Sequence, residues 1–570
     1  GSEVTGRSPF EIWLNEAVTV FVSNEFLSFC FGDETIRLGD ALTLLAPGAG
    51  ILAQDISAGA MPIEPDGFND CNELITSVTY VKAPEFVRMI QTLMGNEQFV
   101  KGLDAYHSKY KHSNASRADW VTAMGESSGQ DFTEMAAGWL KKTGYPIVAV
   151  DRSYDNGKYV LELSQTNGEW QFPFVAAVCS ADGTVLAEKT EWVKTKDHTI
   201  VFETEEPAFV SLNRGYSFFG KVKYGVTEEE LFLQVRKDKD VVARYSAWYR
   251  LWDTEKMRLL KDEDAAVRED LVDLYFELFQ DEELLNRVGA KFLTIFSSVE
   301  DETYAHKYRE LYEMRKRIST AIAKKYSSKL KELYNHYASV VASGKTYLEK
   351  QTHAVKNRQL KNLCLGLLSR LDTPEVHAII KGQLDNPTAA TDKYAALGLY
   401  LESSAADKME VLHQQEEVLK QNLVSWEMFL YIVGGTDAEN GLALIKDVSS
   451  SASFRIDQSN DQRGLFGSFA RNKKRSLQTA PGRAYLQEII IKLAPVNEYT
   501  TGHLVKVLGN LDKMDAEYHV PLIGLMVNIL QALNVEKTPS VYNTVKRMIM
   551  ELPIAREAYE KENGKIEELG

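Results

Sequence analysis

A chain of 570 residues is several times the length of a typical domain, and its 44% hydrophobic and 26% charged residues are typical of a globular rather than a disordered or fibrous protein. Its 65 basic and 81 acidic residues give a net charge of -16, which disfavours nucleic acid and anionic membrane surfaces as partners. No apolar run reaches the roughly 18 residues of a membrane span, and the four scattered cysteines favour a reducing compartment, so we expect a cytoplasmic protein: Cys30, Cys71, Cys179 and Cys364.

Residues 1–146 are predicted to be mostly helical and to form a first domain. The Ala-Pro-Glu sequence at 83–85 indicates a helix start, because proline is tolerated in a first turn. Residues 116–119 and 131–134 each resemble a capping box. Basic residues followed by Gly-Tyr-Pro at 144–146 are typical of a helix end and place the domain boundary there.

Residues 147–225 change to short β-rich runs separated by turn signals, which predicts a small β-sandwich domain. The runs are 147–150, 159–163, 172–179, 199–202 and 209–212. Residues 226–570 return to helices of ordinary length with short breaks, which favours an α-solenoid of helix pairs. The predicted fold is therefore multidomain and mostly α.

Glu16 is the first candidate functional residue. Apolar residues cover nearly every side of the helix predicted around residues 13–22, which indicates a buried helix. A buried carboxylate needs a cation, a metal or several hydrogen bonds, because leaving it unpaired costs several kcal/mol. From periodicity alone the alternative is an ordinary first-turn acid that interacts with the helix N-terminus.

Short motifs in a fixed order connect Glu16 with a known family. The Trp-Leu-Asn-Glu sequence at 13–16 resembles the segment that carries the third zinc ligand in the gluzincin aminopeptidases. Tyr80 lies in a segment similar to the Tyr-x-Lys-Gly/Ala motif of those enzymes, and Arg88 follows at the expected distance. The segment from Trp139 to Pro146 is similar to the end of their catalytic domain.

Two downstream segments, 357–362 and 463–469, resemble landmarks of the terminal helical domain in one branch of the family, found in Gram-negative bacteria, plants and apicomplexan parasites. The chain is therefore identified as a member of the zinc aminopeptidase N (alanyl aminopeptidase) family, similar to the C-terminal two-thirds of such an enzyme. The first domain would then be the helical remainder of a thermolysin-like catalytic domain.

The resemblance also implies a chemistry. Family enzymes hold one zinc ion with two histidines and a glutamate, and the metal makes water nucleophilic near neutral pH. Glu16 would be the metal ligand, and Tyr80 would donate a hydrogen bond to the oxyanion, although its hydroxyl could instead only anchor two helices. Arg463 would bind substrate, and the substrates would be peptides with a free N-terminus.

The His-Glu-x-x-His motif of the family is not in this sequence. Counting back from Glu16 by the family spacing puts the second histidine three or four residues before Gly1. The ten histidines include no His-x-x-x-His pair, and His107 and His112, five residues apart in a lysine-rich segment, are predicted to be solvated surface. We therefore expect this chain to hold zinc poorly or not at all and to be inactive alone.

Departures from the family pattern leave fine substrate preference open. Ala17 stands where glycine is usual, and Met61 stands where this branch usually has histidine. Residues 478–485 lack a histidine and an aspartate that the family pattern leads us to expect there. The same architecture without its zinc site serves protein binding in a transcription-complex subunit. A non-catalytic protein-binding scaffold is therefore the alternative function.

Overall fold

The computed structural model describes residues 3–48, 50–57, 60–68 and 74–566. The chain divides into two compact units. The first comprises 1–258, 268–298 and 342–356, and the second comprises 259–267, 299–341 and 357–570. The three domains expected from the sequence, 1–146, 147–225 and 226–570, stay a prediction. Cys71 lies outside the described residues.

The first unit begins with a helical layer that packs around an aromatic core. Its elements are β1 Val4–Gly6, α1 Ile12–Phe31, α2 Asp33–Leu45, α3 Ile51–Asp55, α4 Ser77–Met94, α5 Asn96–Tyr110, β2 Ser113–Ala115, α6 Arg117–Ser128 and α7 Thr133–Lys141. Trp13, Phe86 and Trp120 are fully buried, and their ring centroids lie 6.0 to 6.1 Å apart. Aromatic contacts of this kind fix α1 against α4 and α6.

Helix α4 begins earlier than predicted. The start expected at 83–85 is wrong, because Thr76 caps the helix and its side chain accepts the backbone N–H of Thr79 at 3.2 Å. Pro84 is the eighth residue of α4. The expectation failed because proline is far more common in a first turn than in a helix interior.

The two predicted capping boxes have different outcomes. At α6 the box is present, since the Asp119 carboxylate accepts the backbone N–H of Ser116 at 2.8 Å. At α7 it is not formed. Asp131 instead accepts the N–H of Thr133, the first helical residue, at 2.9 Å, so the helix starts one residue later than a box would require.

Seven strands form the β-sandwich: β3 Ile147–Asp155, β4 Lys158–Gln165, β5 Phe172–Cys179, β6 Val185–Val193, β7 Asp197–Glu203, β8 Phe209–Leu212 and β9 Lys221–Tyr224. One sheet has the order β7-β4-β3-β9, with β3 and β9 parallel, and the other has the order β6-β5-β8. The turn between β3 and β4 contains Asn156 and Gly157, whose φ values of 49° and 79° are those that a tight hairpin requires. β6 and β9 were not predicted, because both are edge strands in which charged residues interrupt the apolar pattern.

Helices make up most of the remaining chain: α8 Glu228–Lys237, α9 Val241–Lys261, α10 Glu269–Phe279, α11 Glu282–Val288, α12 Tyr308–Ser339, α13 Tyr347–Leu368, α14 Pro374–Asp385, α15 Ala390–Glu402, α16 Lys408–Leu419, α17 Leu423–Gly435, α18 Gly441–Ser450, α19 Ser459–Gln462, α20 Ser468–Arg471, α21 Lys473–Ser476, α22 Ala480–Leu493, α23 Glu498–Val505, α24 His519–Ala532, α25 Pro539–Met550 and α26 Pro553–Asn563. The predicted fold class, mostly α with a small β-sandwich and a C-terminal helical array, is confirmed. In the described part of the chain, no helix combines the length and apolarity that crossing a bilayer requires.

Within the second unit, a buried polar network ties α13 to α15. Lys361 Nζ donates to Asp392 Oδ2 at 2.6 Å, and the two side chains are 5% and 0% exposed. Asn362 donates to the other carboxylate oxygen of Asp392 at 3.0 Å. These two residues belong to the 357–362 landmark, and their contacts stabilise the helix packing.

Candidate active site on helices α1 and α4

Helix α1 places Glu16 at the edge of the core. A capping box begins the short 3₁₀ turn that precedes α1. In this box the Glu11 carboxylate accepts the N–H of Ser8 at 3.0 Å. Trp13 and Ala17 on the inner face of α1 are fully buried. Glu16 lies beside that face and is half-buried, so its carboxylate is neither in the core nor free in water.

The stretch 13–22, predicted to be buried, has two exposed residues, Thr19 and Val22, and exposed apolar side chains continue beyond it along α1. Val22, Phe26 and Phe29 are 49%, 64% and 85% exposed, and their spacing of four and three residues puts them on one stripe. The inner face packs against α4, whereas no described residue covers this stripe. Hydrophobicity in the sequence does not distinguish a face that is covered from one that is not.

Tyr80 lies in the first turn of α4, next to Glu16 on α1. Its side chain is 36% exposed, and its backbone N–H donates to the Thr76 carbonyl at 3.1 Å. Partial burial raises the pKa of Tyr80, and a hydrogen bond to the Glu16 carboxylate together with that carboxylate's charge raises it further. The hydroxyl is therefore held protonated as a donor beside the carboxylate.

The two helices run side by side in the same direction. Near their starts Glu16 meets Tyr80, and further along Gln91 donates to Glu25 at 3.2 Å. The structure thus brings together the two residues that the sequence motifs single out.

Pro84 affects the backbone directly at Tyr80. In an α-helix the N–H of residue 84 would bond to the carbonyl of residue 80, but proline has no N–H to donate. The carbonyl of Tyr80 therefore lacks its usual partner within α4. The sequence contains the signal, namely a proline four residues after the candidate tyrosine.

Lys82 anchors the opposite side of α4. Its side chain and that of Asp55 are both 0% exposed, and the Nζ to Oδ2 distance is 2.8 Å. The same ammonium donates to the carbonyl oxygens of Lys142 and Gly144 at 3.0 and 2.9 Å. It lies 5.6 to 5.8 Å from the ring centres of Trp139, Trp170 and Phe219.

Burial shifts the pKa values of both members of the Lys82–Asp55 pair. Burial raises the pKa of Asp55 to about 6 and lowers the pKa of Lys82, because neither charged form is solvated. This pair fixes α4 to the segment that follows α7, which holds the Tyr80 turn in place.

The metal donor set among the described residues is incomplete. Among the described residues there is no group of three or more histidine, cysteine, aspartate or glutamate side chains that could hold a metal ion. Glu16 supplies one carboxylate, and the whole sequence contains no His-x-x-x-His pair. A catalytic zinc ion requires three protein ligands, so the residues present do not fit a zinc site by themselves.

Arg463 belongs to the second unit and opens a π-helical turn, Arg463–Gly467. Its side chain is exposed, and Nη2 donates to Asn460 at 2.5 Å. π-helical turns occur often at functional sites, but substrate binding by Arg463 stays a prediction. Met61 is half-buried, and its effect on substrate preference is likewise a prediction.

Sequence profiles of two known domains match the chain. The "Peptidase family M1 domain" matches residues 1–139. The "Domain of unknown function (DUF3458_C) ARM repeats" matches residues 228–549, more than half of the chain.

Two curated relatives and one solved structure are similar to the chain. Aminopeptidase N of Escherichia coli (strain K12) is 24% identical over 553 residues, covering 91% of this chain and 62% of the relative. Puromycin-sensitive aminopeptidase of Caenorhabditis elegans is 30% identical over 238 residues, covering 39% of this chain and 25% of the relative. The crystal structure of Legionella pneumophila aminopeptidase A in complex with aspartic acid superposes with a TM-score of 0.83 at 20% identity, covering 97% of this chain and 64% of that one. The chain spans less than two thirds of the length of each of these proteins.

Proposed function

Because the chain belongs to the M1 peptidases that carry the DUF3458_C ARM repeats, we propose that it contributes part of the active site of a zinc metalloaminopeptidase. Such an enzyme is an exopeptidase that releases N-terminal amino acids from peptides. The observation that carries the proposal is the contact between Glu16 on α1 and Tyr80 on α4. Both residues were singled out by separate sequence motifs, and the fold places them side by side.

Tyr80 would act as the oxyanion donor. When water adds to a peptide carbonyl, negative charge grows on the carbonyl oxygen, and a fixed donor nearby stabilises it. A phenol with a raised pKa keeps its proton at neutral pH. The 36% exposure of Tyr80 leaves the ring open to a bound peptide.

Glu16 would supply one zinc ligand, and the other two ligands and the general base would have to come from outside these 570 residues. When bound in a complete site, zinc would supply an activated water. Since one carboxylate cannot hold the ion against water, we propose that this chain by itself is inactive.

The scaffold alternative is less well supported. A protein that only binds partners has no need of a carboxylate and a phenol in contact at one partly open place, whereas an aminopeptidase needs both. A cytoplasmic location is also part of the proposal, and the three described cysteines, Cys30, Cys179 and Cys364, are free thiols, which is consistent with a reducing compartment.

The experiment uses the full-length product of the gene. Glu16→Gln is expected to lower its zinc content, measured by mass spectrometry after dialysis, and to lower turnover of an alanyl substrate by at least about 10². Glu97→Gln is the matched control, since Glu97 is a largely exposed surface glutamate paired with Lys101. Equal zinc content and equal turnover in Glu16→Gln and wild type would remove Glu16 from the site.

A further inference from the structure

A cavity of about 290 Å³ lies further along α1 and α4 from the candidate site. Pro84 and Arg88 on α4 line it, one and two helical turns after Tyr80 on the same face. Eight residues of helix correspond to about 12 Å. The cavity is therefore a separate place from Glu16 and Tyr80, and the proposed reaction does not use it.

Arg88 lines this cavity and does not use all of its hydrogen-bonding capacity. Its Nε is inaccessible to water and has no acceptor among the described residues. Its Nη2 reaches only the Gly215 carbonyl, at 3.3 Å. Burial and the neighbouring Arg37 lower the pKa of Arg88 to about 10, as expected for a guanidinium that lacks a counter-charge.

The nearby Arg37 already has a carboxylate partner. It forms a bidentate pair with Glu85, with N–O distances of 2.6 and 2.8 Å, and both side chains are 8% exposed. The Glu85 carboxylate is thereby neutralised and does not serve Arg88, which has no carboxylate within 4.0 Å among the described residues.

Asp40 is the opposite charge in the same cavity. Among the described residues its one cation within 4.0 Å is Arg37, at 3.7 Å, and that cation already serves Glu85. Burial raises the pKa of Asp40, and the Arg88 charge acts in the other direction. Arg88 and Asp40 thus influence each other across the cavity without forming an ion pair.

We propose that this cavity binds a free α-amino acid in its zwitterionic form, with the carboxylate on Arg88 and the ammonium group towards Asp40. The N–H groups of a guanidinium form a planar fork that matches the two oxygens of a carboxylate. An ammonium group one carbon away supplies the counter-charge that Asp40 lacks.

The charges of the cavity select a zwitterion over simpler ions. Glu25 and Asp33 stand at the rim, so a ligand with a net negative charge is repelled. A simple amine leaves Arg88 without a partner. A zwitterion offers a carboxylate to Arg88 and an ammonium group to Asp40, and it carries no net charge. The cavity volume accommodates an amino acid of ordinary size.

The test measures binding to the purified 570-residue chain by titration calorimetry and by the thermal unfolding midpoint. L-alanine is expected to bind with a Kd on the order of 1 mM, because it is small. L-alaninamide, which lacks the carboxylate, and N-acetyl-L-alanine, which lacks the ammonium, are each expected to bind at least tenfold more weakly. Equal binding of either analogue would overturn the proposal, and so would no binding of alanine.

Two variants locate the ligand. Arg88→Gln and Asp40→Asn are each expected to weaken alanine binding at least tenfold, and Arg547→Gln, an exposed arginine on α25, is the matched control. Using two variants keeps the test valid if one of them fails to fold. Wild-type affinity in both would contradict the proposal. Loss of binding in Glu16→Gln alone would put the ligand at the candidate active site instead, which also contradicts it but leaves the proposed function intact.

Discussion

Replacing Lys82 by methionine tests the buried ion pair that holds the Tyr80 turn in place. The ammonium and the Asp55 carboxylate are 2.8 Å apart and fully buried. The variant leaves the carbonyl oxygens of Lys142 and Gly144 without this donor, which costs about 1–3 kcal/mol each. This part of the loss is independent of pH.

The Asp55 carboxyl adds a part that depends on pH. Its pKa is raised from 3.8 to about 6 in the folded protein by burial, even with the ammonium beside it. A carboxyl with a raised folded pKa stabilises the fold when protonated, so in wild type its contribution falls as pH rises from 3.8 to about 6 and then levels off.

Without Lys82 the folded pKa of Asp55 rises further, so the variant continues to lose stability above pH 6. The loss is about 1.4 kcal/mol per pH unit, or about 3 kcal/mol between pH 6 and pH 8. Wild type has no matching loss from this carboxyl. The destabilisation caused by Lys82→Met therefore grows with pH.

The assay is urea unfolding followed by tryptophan fluorescence at pH 5.5, 7 and 8, with thermal midpoints as a second measurement. Lys101→Met is the control, because the exposed Lys101–Glu97 pair, 58% and 78% exposed, contributes less than about 1 kcal/mol. A loss of stability in Lys82→Met that is equal at pH 5.5 and pH 8, or smaller at pH 8, would refute the reasoning.

Three further outcomes are expected. In the full-length gene product, Tyr80→Phe should lower kcat by about 10² to 10³ with little change in KM, since one oxyanion donor is lost. Unchanged kcat would leave Tyr80 with a packing role. The control is Tyr347→Phe, because Tyr347 is 78% exposed. Changing Phe26 and Phe29 together to serine should reduce concentration-dependent association of the chain in sedimentation velocity, because these rings are 64% and 85% exposed; association equal to that of wild type would contradict this. Lys361→Met should destabilise the second unit by about 3–5 kcal/mol in urea unfolding, because it leaves Asp392 buried without its cation. The control is Lys381→Met, which breaks a more exposed pair and should cost less than about 1 kcal/mol. A loss as small as that in Lys361→Met would contradict the prediction.

The residues of the candidate site were predictable because their signals are local. Trp-Leu-Asn-Glu and Tyr-x-Lys are short motifs, and the first stands on a helix that the sequence also indicates. The resemblance to the family implied that both residues serve one site, whereas nothing in periodicity alone places Glu16 beside Tyr80.

The parts that were missed depend on distant residues. The start of α4 was misplaced because Pro84 resembles a first-turn proline, while the actual cap, Thr76, has no distinctive pattern around it. The enclosure of Lys82 requires Trp139, Trp170 and Phe219, which lie 57 or more residues away in the chain. Charge alone would have placed that lysine on the surface.

The cavity beside Arg88 shows the same limit. Its walls come from α1, α2, α4 and the start of α9, and from Gly215 after β8. The sequence shows an arginine on a helix, but whether its guanidinium finds a carboxylate depends on how Arg37 and Glu85 pair with each other.

The central claim is that this chain supplies one zinc ligand and one oxyanion donor to an aminopeptidase site and does not contain a complete site. The most direct measurement determines bound zinc and turnover of a fluorogenic alanyl substrate on the same sample of the purified 570-residue chain, with and without added zinc and chelator. The account predicts well under one zinc ion per chain after dialysis and no turnover above background. One zinc ion per chain together with chelator-sensitive turnover would contradict it, because other residues of this chain would then build the metal site.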